Sequence, residues 1–198
     1  GEITSVCYNS PKENAVNIAK KCLESGHLSG SRAIFFVFEI SGISRALSLQ
    51  LNRHEVGVVK QQQSQRYVDQ LTSTIVIPEE LKPFKYDVYK VYERCIDLYS
   101  DLINAGISKD SARYILPEGI ETSGVWAFNL EALINFMHKR LCSRASWEHR
   151  KLANMMKDAI LEAIPELDKF LVPSCKYLTW CPEGELSCGL MPTRKESQ

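Results

Sequence analysis

Ser64 and Arg66 stand two residues apart in the polar run Gln61-Gln62-Gln63-Ser64-Gln65-Arg66. On one extended segment, a hydroxyl and a guanidinium fork at that spacing can both donate to a single phosphate, the bidentate form of anion recognition. Two further arginines share polar company: Arg113 in Ser111-Ala112-Arg113-Tyr114, and Arg140 near the end of an expected helix. The glutamines offer amide donors and acceptors suited to the edge of a base, although a glutamine run alone is an ordinary solvated loop. His54 sits between Arg53 and Glu55, where a hydrogen-bonded structural role is the ordinary reading, and His27, His138 and His149 have no metal-ligand spacing among them. Cys175, Cys181 and Cys188 lack the C-x-x-C knuckle of a structural zinc site, so no metal centre is expected. No Ser-His-Asp or Cys-His catalyst can be assembled. The residues by themselves point to a phosphate site.

The elements that must carry these residues follow from periodicity and caps. Ile3 to Tyr8 reads as a short strand, and Ser10-Pro11-Lys12-Glu13 reads as a capping box opening a helix that stops at Ser25-Gly26. Ala33 to Ile40 is an apolar and aromatic strand followed by a turn at Ser41-Gly42, then a helix from Ile43 to Asn52. Glu55 to Lys60 is a third strand leading into the polar loop. Val88, Val91, Tyr92, Cys95, Leu98, Tyr99 and Leu102 form one helical stripe closed by Gly106. Ser108 caps a short helix ended by Pro117. Two more helices are expected, from Asn129 to Leu141 and from Trp147 to Ile164. The fold class is mixed α and β, without the glycine-rich loop or strand-helix-strand alternation of dinucleotide folds.

The 198 residues suit one domain, here 1–172, with an irregular tail at 173–198. Twenty-four Lys plus Arg balance 24 Asp plus Glu, so no overall field attracts a polyanion, and no basic stripe with interleaved aromatics marks a nucleic-acid binder. No apolar window approaches the roughly 18 residues of a membrane span. Seven cysteines, four of them single among apolar residues, fit reduced thiols and a cytoplasmic protein.

Taken together, Ser44-Arg45-Ala46, Gln50, Arg53-His54-Glu55 and Gln62-Gln63-Ser64-Gln65-Arg66-Tyr67 resemble the signature region of flavin-dependent thymidylate synthases, which reads Arg-His-Arg, a spacer, then Ser-x-Arg. The likeness extends through Gly26-His27 to Ser29, Ala112-Arg113 with Leu116-Pro117, Asn129, Asn135, Arg140 and Trp147-Glu148. It continues into the tail at Cys181-Pro182-Glu183-Gly184 and Ser187-Cys188-Gly189. The resemblance implies helices packed on a small, mostly antiparallel sheet, and a homotetramer with active sites between subunits. It implies methylation of dUMP to dTMP, with methylenetetrahydrofolate giving the carbon and FAD, recharged by NADPH, giving the hydride. By matched position, Arg66 and Arg113 grip the dUMP phosphate, Gln50, Arg53, Gln63, Ser64 and Gln65 line the nucleotide, and Arg140 meets the pyrimidine as the catalytic cation. Ser29, Arg53, His54, Glu55, Asn129, Glu131 and Asn135 fall on the FAD side.

The chain departs from the family pattern in that flavin half. Glu55 stands where the third signature residue is Arg, Glu131 stands where another Arg is usual, and Arg32-Ala33 replaces a Glu-His pair. Glu55 and Arg32 are expected to form a swapped ion pair, which leaves Glu131 unpartnered. Two other readings stay open: a diverged paralogue modifying a pyrimidine nucleotide with altered or absent FAD use, and a nucleotide-binding protein without turnover. An ideal helical wheel places Asn129 and Arg140 within roughly 20° of each other, with Glu131 and Asn135 nearly opposite.

Overall fold

A computed structural model describes residues 2–9 and 11–194. Its centre is a three-stranded antiparallel sheet of β1 (Phe35–Ser44), β2 (Val58–Gln62) and β3 (Glu121–Asn129), in the order β1-β3-β2. The central strand is thus the last in sequence, and it lies in a stretch that periodicity did not single out. Phe36 and Val58 flank Phe128, while Phe38 and Lys60 flank Trp126, so one face of the sheet gathers large side chains. Gly124 pairs with Ile40 and Gln62. A Cβ there would stand 2.5 Å from Gln61 O and 2.8 Å from Gln62 Cα, so only glycine lets β2 approach at that point.

β1 runs through the expected turn at Ser41-Gly42. The pairing slips between Ile40 and Ile43, a bulge in which Gly42 takes φ 68°, so the chain bends without leaving the sheet. Helix α3 (Arg45–Leu51) follows directly, with Ser44 Oγ accepting from Leu47 N at 2.9 Å as its N-cap. Glu148, in the first turn of α7 (Trp147–Ala163), accepts from Ser44 N at 2.7 Å and from Ser44 Oγ at 2.5 Å. One carboxylate therefore ties α7 to the junction of β1 and α3.

Helix α6 (Leu130–Arg140) begins where β3 ends, capped by Asn129 Oδ1, which accepts from Ala132 N at 2.8 Å. Its Leu133, Phe136 and Met137 pack with Leu152, Met156 and Ile160 of α7 and with Leu47, Leu51, Trp126 and Phe128 into the single large core.

One expectation is overturned, one falls partly outside the described residues, and one helix is found as expected with its stripe only partly covered. Ile3 to Tyr8 is not a strand: Glu2–Cys7 forms helix α1 against α2 (Ala15–Glu24), where a helix satisfies its own backbone groups and needs no sheet edge. The proposed capping box lies partly outside the described residues at Ser10, and α2 itself starts after a 3₁₀ turn at Lys12–Asn14. The stripe on α4 (Lys85–Asn104) is only partly covered, for Tyr92 and Tyr99 are buried while Val91 and Leu98 are exposed. Short helices α5 (Lys109–Ala112) and α8 (Ser174–Leu178) complete the set, the latter lying in the tail that is expected to be irregular and partly ordered.

Candidate functional site

Arg66 and Arg113, far apart in sequence, meet at one carboxylate. Asp110 Oδ1 lies 3.1 Å from Arg66 Nε and 2.9 Å from Arg113 Nη2. The oxygen is buried and neither contact is an aligned hydrogen bond, so the two guanidinium forks are held together by charge while most of their N–H donors stay unspent. Arg113 Nε is oriented separately by donating to Asp110 O at 3.1 Å. Ser64 closes the turn that carries Arg66: its carbonyl accepts from Val68 N at 2.9 Å, and its Oγ accepts from Arg66 N at 3.3 Å. The hydroxyl hydrogen remains available.

Arg45, at the start of α3, belongs to the same region. Its pKa is lowered, first by burial and then by the charge of Arg113, with Glu118 opposing. Lys109 is anchored beside them, donating to Tyr67 O at 3.1 Å. Sequence reading singled out neither Arg45 nor Asp110 as a site residue, because nothing in the linear pattern shows that α5 folds back over residues 64–68.

The glutamines divide. Gln63 is exposed, but Gln65 is buried with its Nε2 donating to Gln70 Oε1 at 3.5 Å, so its side chain turns into the loop. Gln70 in turn donates to Val68 O at 3.2 Å and Asp69 O at 3.0 Å, which fixes the loop's shape from within.

A second cluster gathers at the C-terminal end of α6. Arg140 Nε donates to His54 Nε2 at 3.0 Å, which makes that nitrogen an acceptor and puts the imidazole proton on Nδ1. Burial lowers the His54 pKa to about 4, with Arg140, Lys139, Arg53 and Lys60 adding to the effect. The ring stands edge-on to Phe136 at 5.1 Å between centroids, and Phe136 in turn packs on His149 at 5.6 Å. His149 is fully buried, with its pKa pushed down to about 3 by burial first and then by Arg140 and His54. Its Nδ1 faces Gln50 Oε1 at 3.4 Å, and Ser146 Oγ donates to the same oxygen at 3.5 Å. Gln50, His54 and Arg140, scattered through the sequence, are thus joined through a buried histidine that sequence reading had left unassigned. Arg140 itself has a lowered pKa, from burial and then from Arg53.

A family model described as "thymidylate synthase complementing protein" matches residues 2–166. A flavin-dependent thymidylate synthase of Nitratidesulfovibrio vulgaris is 36% identical over 185 residues, covering 87% of this chain and 75% of the relative. Another from Pyrococcus furiosus is 35% identical over an alignment of 211 positions, covering 99% of this chain and 86% of its own. One from Thermococcus onnurineus is 38% identical over 178, covering 84% and 72%. The chain belongs to the flavin-dependent thymidylate synthase family.

The departures from the family pattern take a different form from the one expected. Arg32 pairs with Glu131, not with Glu55: its Nε and Nη2 both meet the Glu131 carboxylate, the latter at 3.2 Å. The hydrogen bond from Arg32 holds the Glu131 carboxyl below the usual carboxylate range. The acidic residue that looked unpartnered is therefore neutralised by the arginine that replaces the usual Glu-His pair. Glu55 is exposed, and no cation pairs with it among the described residues. Asn129 spends its Oδ1 on the α6 cap and is packed against Gly57, so it precedes the helix and the wheel does not govern it. Ser29, Arg53 and Asn135 are exposed, and among the described residues no carboxylate pairs with Arg53. No helix among the described residues is long and apolar enough to cross a membrane, and no group of three His, Cys, Asp or Glu side chains is placed to hold a metal.

Proposed function

We propose that this chain is a flavin-dependent thymidylate synthase that methylates dUMP to dTMP with methylenetetrahydrofolate, FAD and NADPH, acting as a homotetramer with sites between subunits. The observation that carries the reading is the approach of Arg66 and Arg113 to one carboxylate oxygen, at 3.1 and 2.9 Å. Two guanidinium forks held that close, with Arg45 beside them and the Ser64 hydroxyl on the adjoining turn, form a clamp for a phosphate dianion. Asp110 holds the clamp's spacing until the phosphate takes up the remaining donors.

At the pyrimidine end Arg140 is the fixed cation. With Nε committed to His54, its terminal amino groups remain to donate to the uracil, where they stabilise the negative charge that builds on N3 and O2 as C5 becomes nucleophilic. His54 is neutral near pH 7 and so orients Arg140 without competing for its charge. Gln50 and Gln63 supply amides to the nucleotide. No cysteine nucleophile is called for.

The residues present fit FAD: Ser29, Arg53 and Asn135 are exposed donors without committed partners among the described residues, and Glu131 carries no uncompensated charge beside them. They would hold the cofactor, with His54 at its edge. When bound and reduced, FAD supplies the hydride of the reductive methylation.

Calorimetric titration with dUMP tests the clamp. Arg66→Ala and Arg113→Ala should each cost about 2 kcal/mol, or roughly thirtyfold in affinity. Unchanged affinity in both variants would remove the assignment.

A further inference from the structure

The side-chain amide of Gln50 is held at one end only. Its Oε1 faces two donors from the start of α7, His149 Nδ1 at 3.4 Å and Ser146 Oγ at 3.5 Å. Gln50 is half-buried, and its Nε2 meets no acceptor among the described residues and is open to solvent.

Neither donor serves its own helix. Ser146 stands at the N-cap of α7, yet its hydroxyl caps no backbone N–H there, whereas Ser44 and Asn129 at the same place in α3 and α6 both do. His149 is fully buried although its Nε2 has no partner, and a buried polar atom without one destabilises the fold. What both residues do is act on Gln50. A carbonyl oxygen only accepts, so the imidazole proton lies on His149 Nδ1 and Nε2 is bare. An amide rotated to turn its nitrogen toward the ring would need that proton on Nε2, where a buried N–H would have no acceptor. Glu148, bonded to Ser44 N and Oγ, fixes α7 against α3, the helix that carries Gln50.

We propose that His149, with Ser146, is a positioning residue that locks the Gln50 amide with its NH2 group outward and thereby makes the site select uracil over cytosine. The inference rests on the dUMP reading above and concerns the same site. Arg140 offers the base only N–H groups, and the locked Gln50 does the same, so donors face donors nowhere when the base carries carbonyl oxygens at C2 and C4. Cytosine carries an amino group at C4, which sets a donor against donors. His54, which aims Arg140, and His149, which aims Gln50, both pack on Phe136, at 5.1 and 5.6 Å between centroids. The two readers of the base are therefore set by one packed unit.

Calorimetric titration of the full-length protein with dUMP and with dCMP tests this. The wild type should prefer dUMP. His149→Leu frees the amide to turn and should narrow the ratio of the two affinities about fivefold, the effect of one neutral hydrogen bond. His149→Asn, whose Nδ2 can donate from the place of the imidazole Nδ1, should restore most of the preference. Ser146 is exposed, so Ser146→Ala leaves the core intact and should narrow the ratio in the same direction. Lost packing alone would weaken both nucleotides equally. A wild type that binds dUMP without preference, or a ratio unchanged in both His149→Leu and Ser146→Ala, would overturn the inference and leave the dUMP reading standing. A wild type that binds neither nucleotide would overturn both.

Discussion

At the residue scale, burial first and then the charge of Arg140 keep two histidines neutral, and this has a measurable pH signature. His54 and His149 have folded-state pKa values of about 4 and about 3, both below the ordinary histidine value of 6.5. The unfolded chain therefore binds protons that the folded chain refuses as pH falls through 6.5, and stability falls with pH until the folded-state values are reached. Each histidine adds up to about 1.4 kcal/mol per pH unit to the slope in that window. Thermal unfolding between pH 7 and pH 4 should show a steep decline that flattens in His149→Gln, and an identical slope in that variant would contradict the burial argument. The Arg32–Glu131 pair makes a second residue-scale prediction. Glu131→Arg places two guanidinium groups where one carboxylate answered one arginine, so it should weaken FAD binding, and Arg32→Glu with Glu131→Arg should restore it. Fluorescence titration with FAD reads both, and tighter binding in Glu131→Arg alone would show that the acidic residue is the obstacle.

At the scale of elements, the sheet depends on one glycine. Gly124→Ala would drive a Cβ into the backbone of β2, and such overpacking should cost about 1–3 kcal/mol, read as a lowered denaturant midpoint with an unchanged slope. The same strand shows how much of the molecule was legible in the sequence. Helices α6 and α7 were legible because caps and an apolar stripe at helical spacing are local signals: Leu133, Phe136 and Met137 fall on one face and Asn129 announces the start. β3 was not, since Ser123-Gly124 reads as a loop signal, and its central place depends on β1 and β2, strands far away along the chain. The site divides in the same way. Ser64, Arg66 and Arg113 could be named from residue type and family pattern, whereas Asp110, Arg45 and His149 acquire meaning only when α5 and α7 fold against the signature loop. The Arg32–Glu131 exchange was misread as Arg32–Glu55 because pairing is set by the approach of a 3₁₀ turn to α6, which spacing alone does not report.

At the scale of the whole molecule, one chain leaves apolar surface uncovered. The outer face of the sheet presents Phe35, Val37, Val59 and Val125, and α4 presents Tyr86, Val91 and Leu98, with Val37 67% exposed and Val91 62% exposed. Surface of this kind on a family member that we propose to work between subunits is expected to lie against other copies. Light scattering at micromolar concentration should give a tetramer, and a Val37→Asp variant should shift the mass downward; a wild-type monomer would contradict both the assembly and the shared site. The central claim is the reaction, and its most direct measurement is dTMP formation by the purified protein supplied with dUMP, methylenetetrahydrofolate, FAD and NADPH under anaerobic conditions. The account predicts dTMP produced by the wild type and lost in Arg140→Ala while dUMP still binds through Arg66 and Arg113. Protein that binds dUMP and FAD yet forms no dTMP would contradict it.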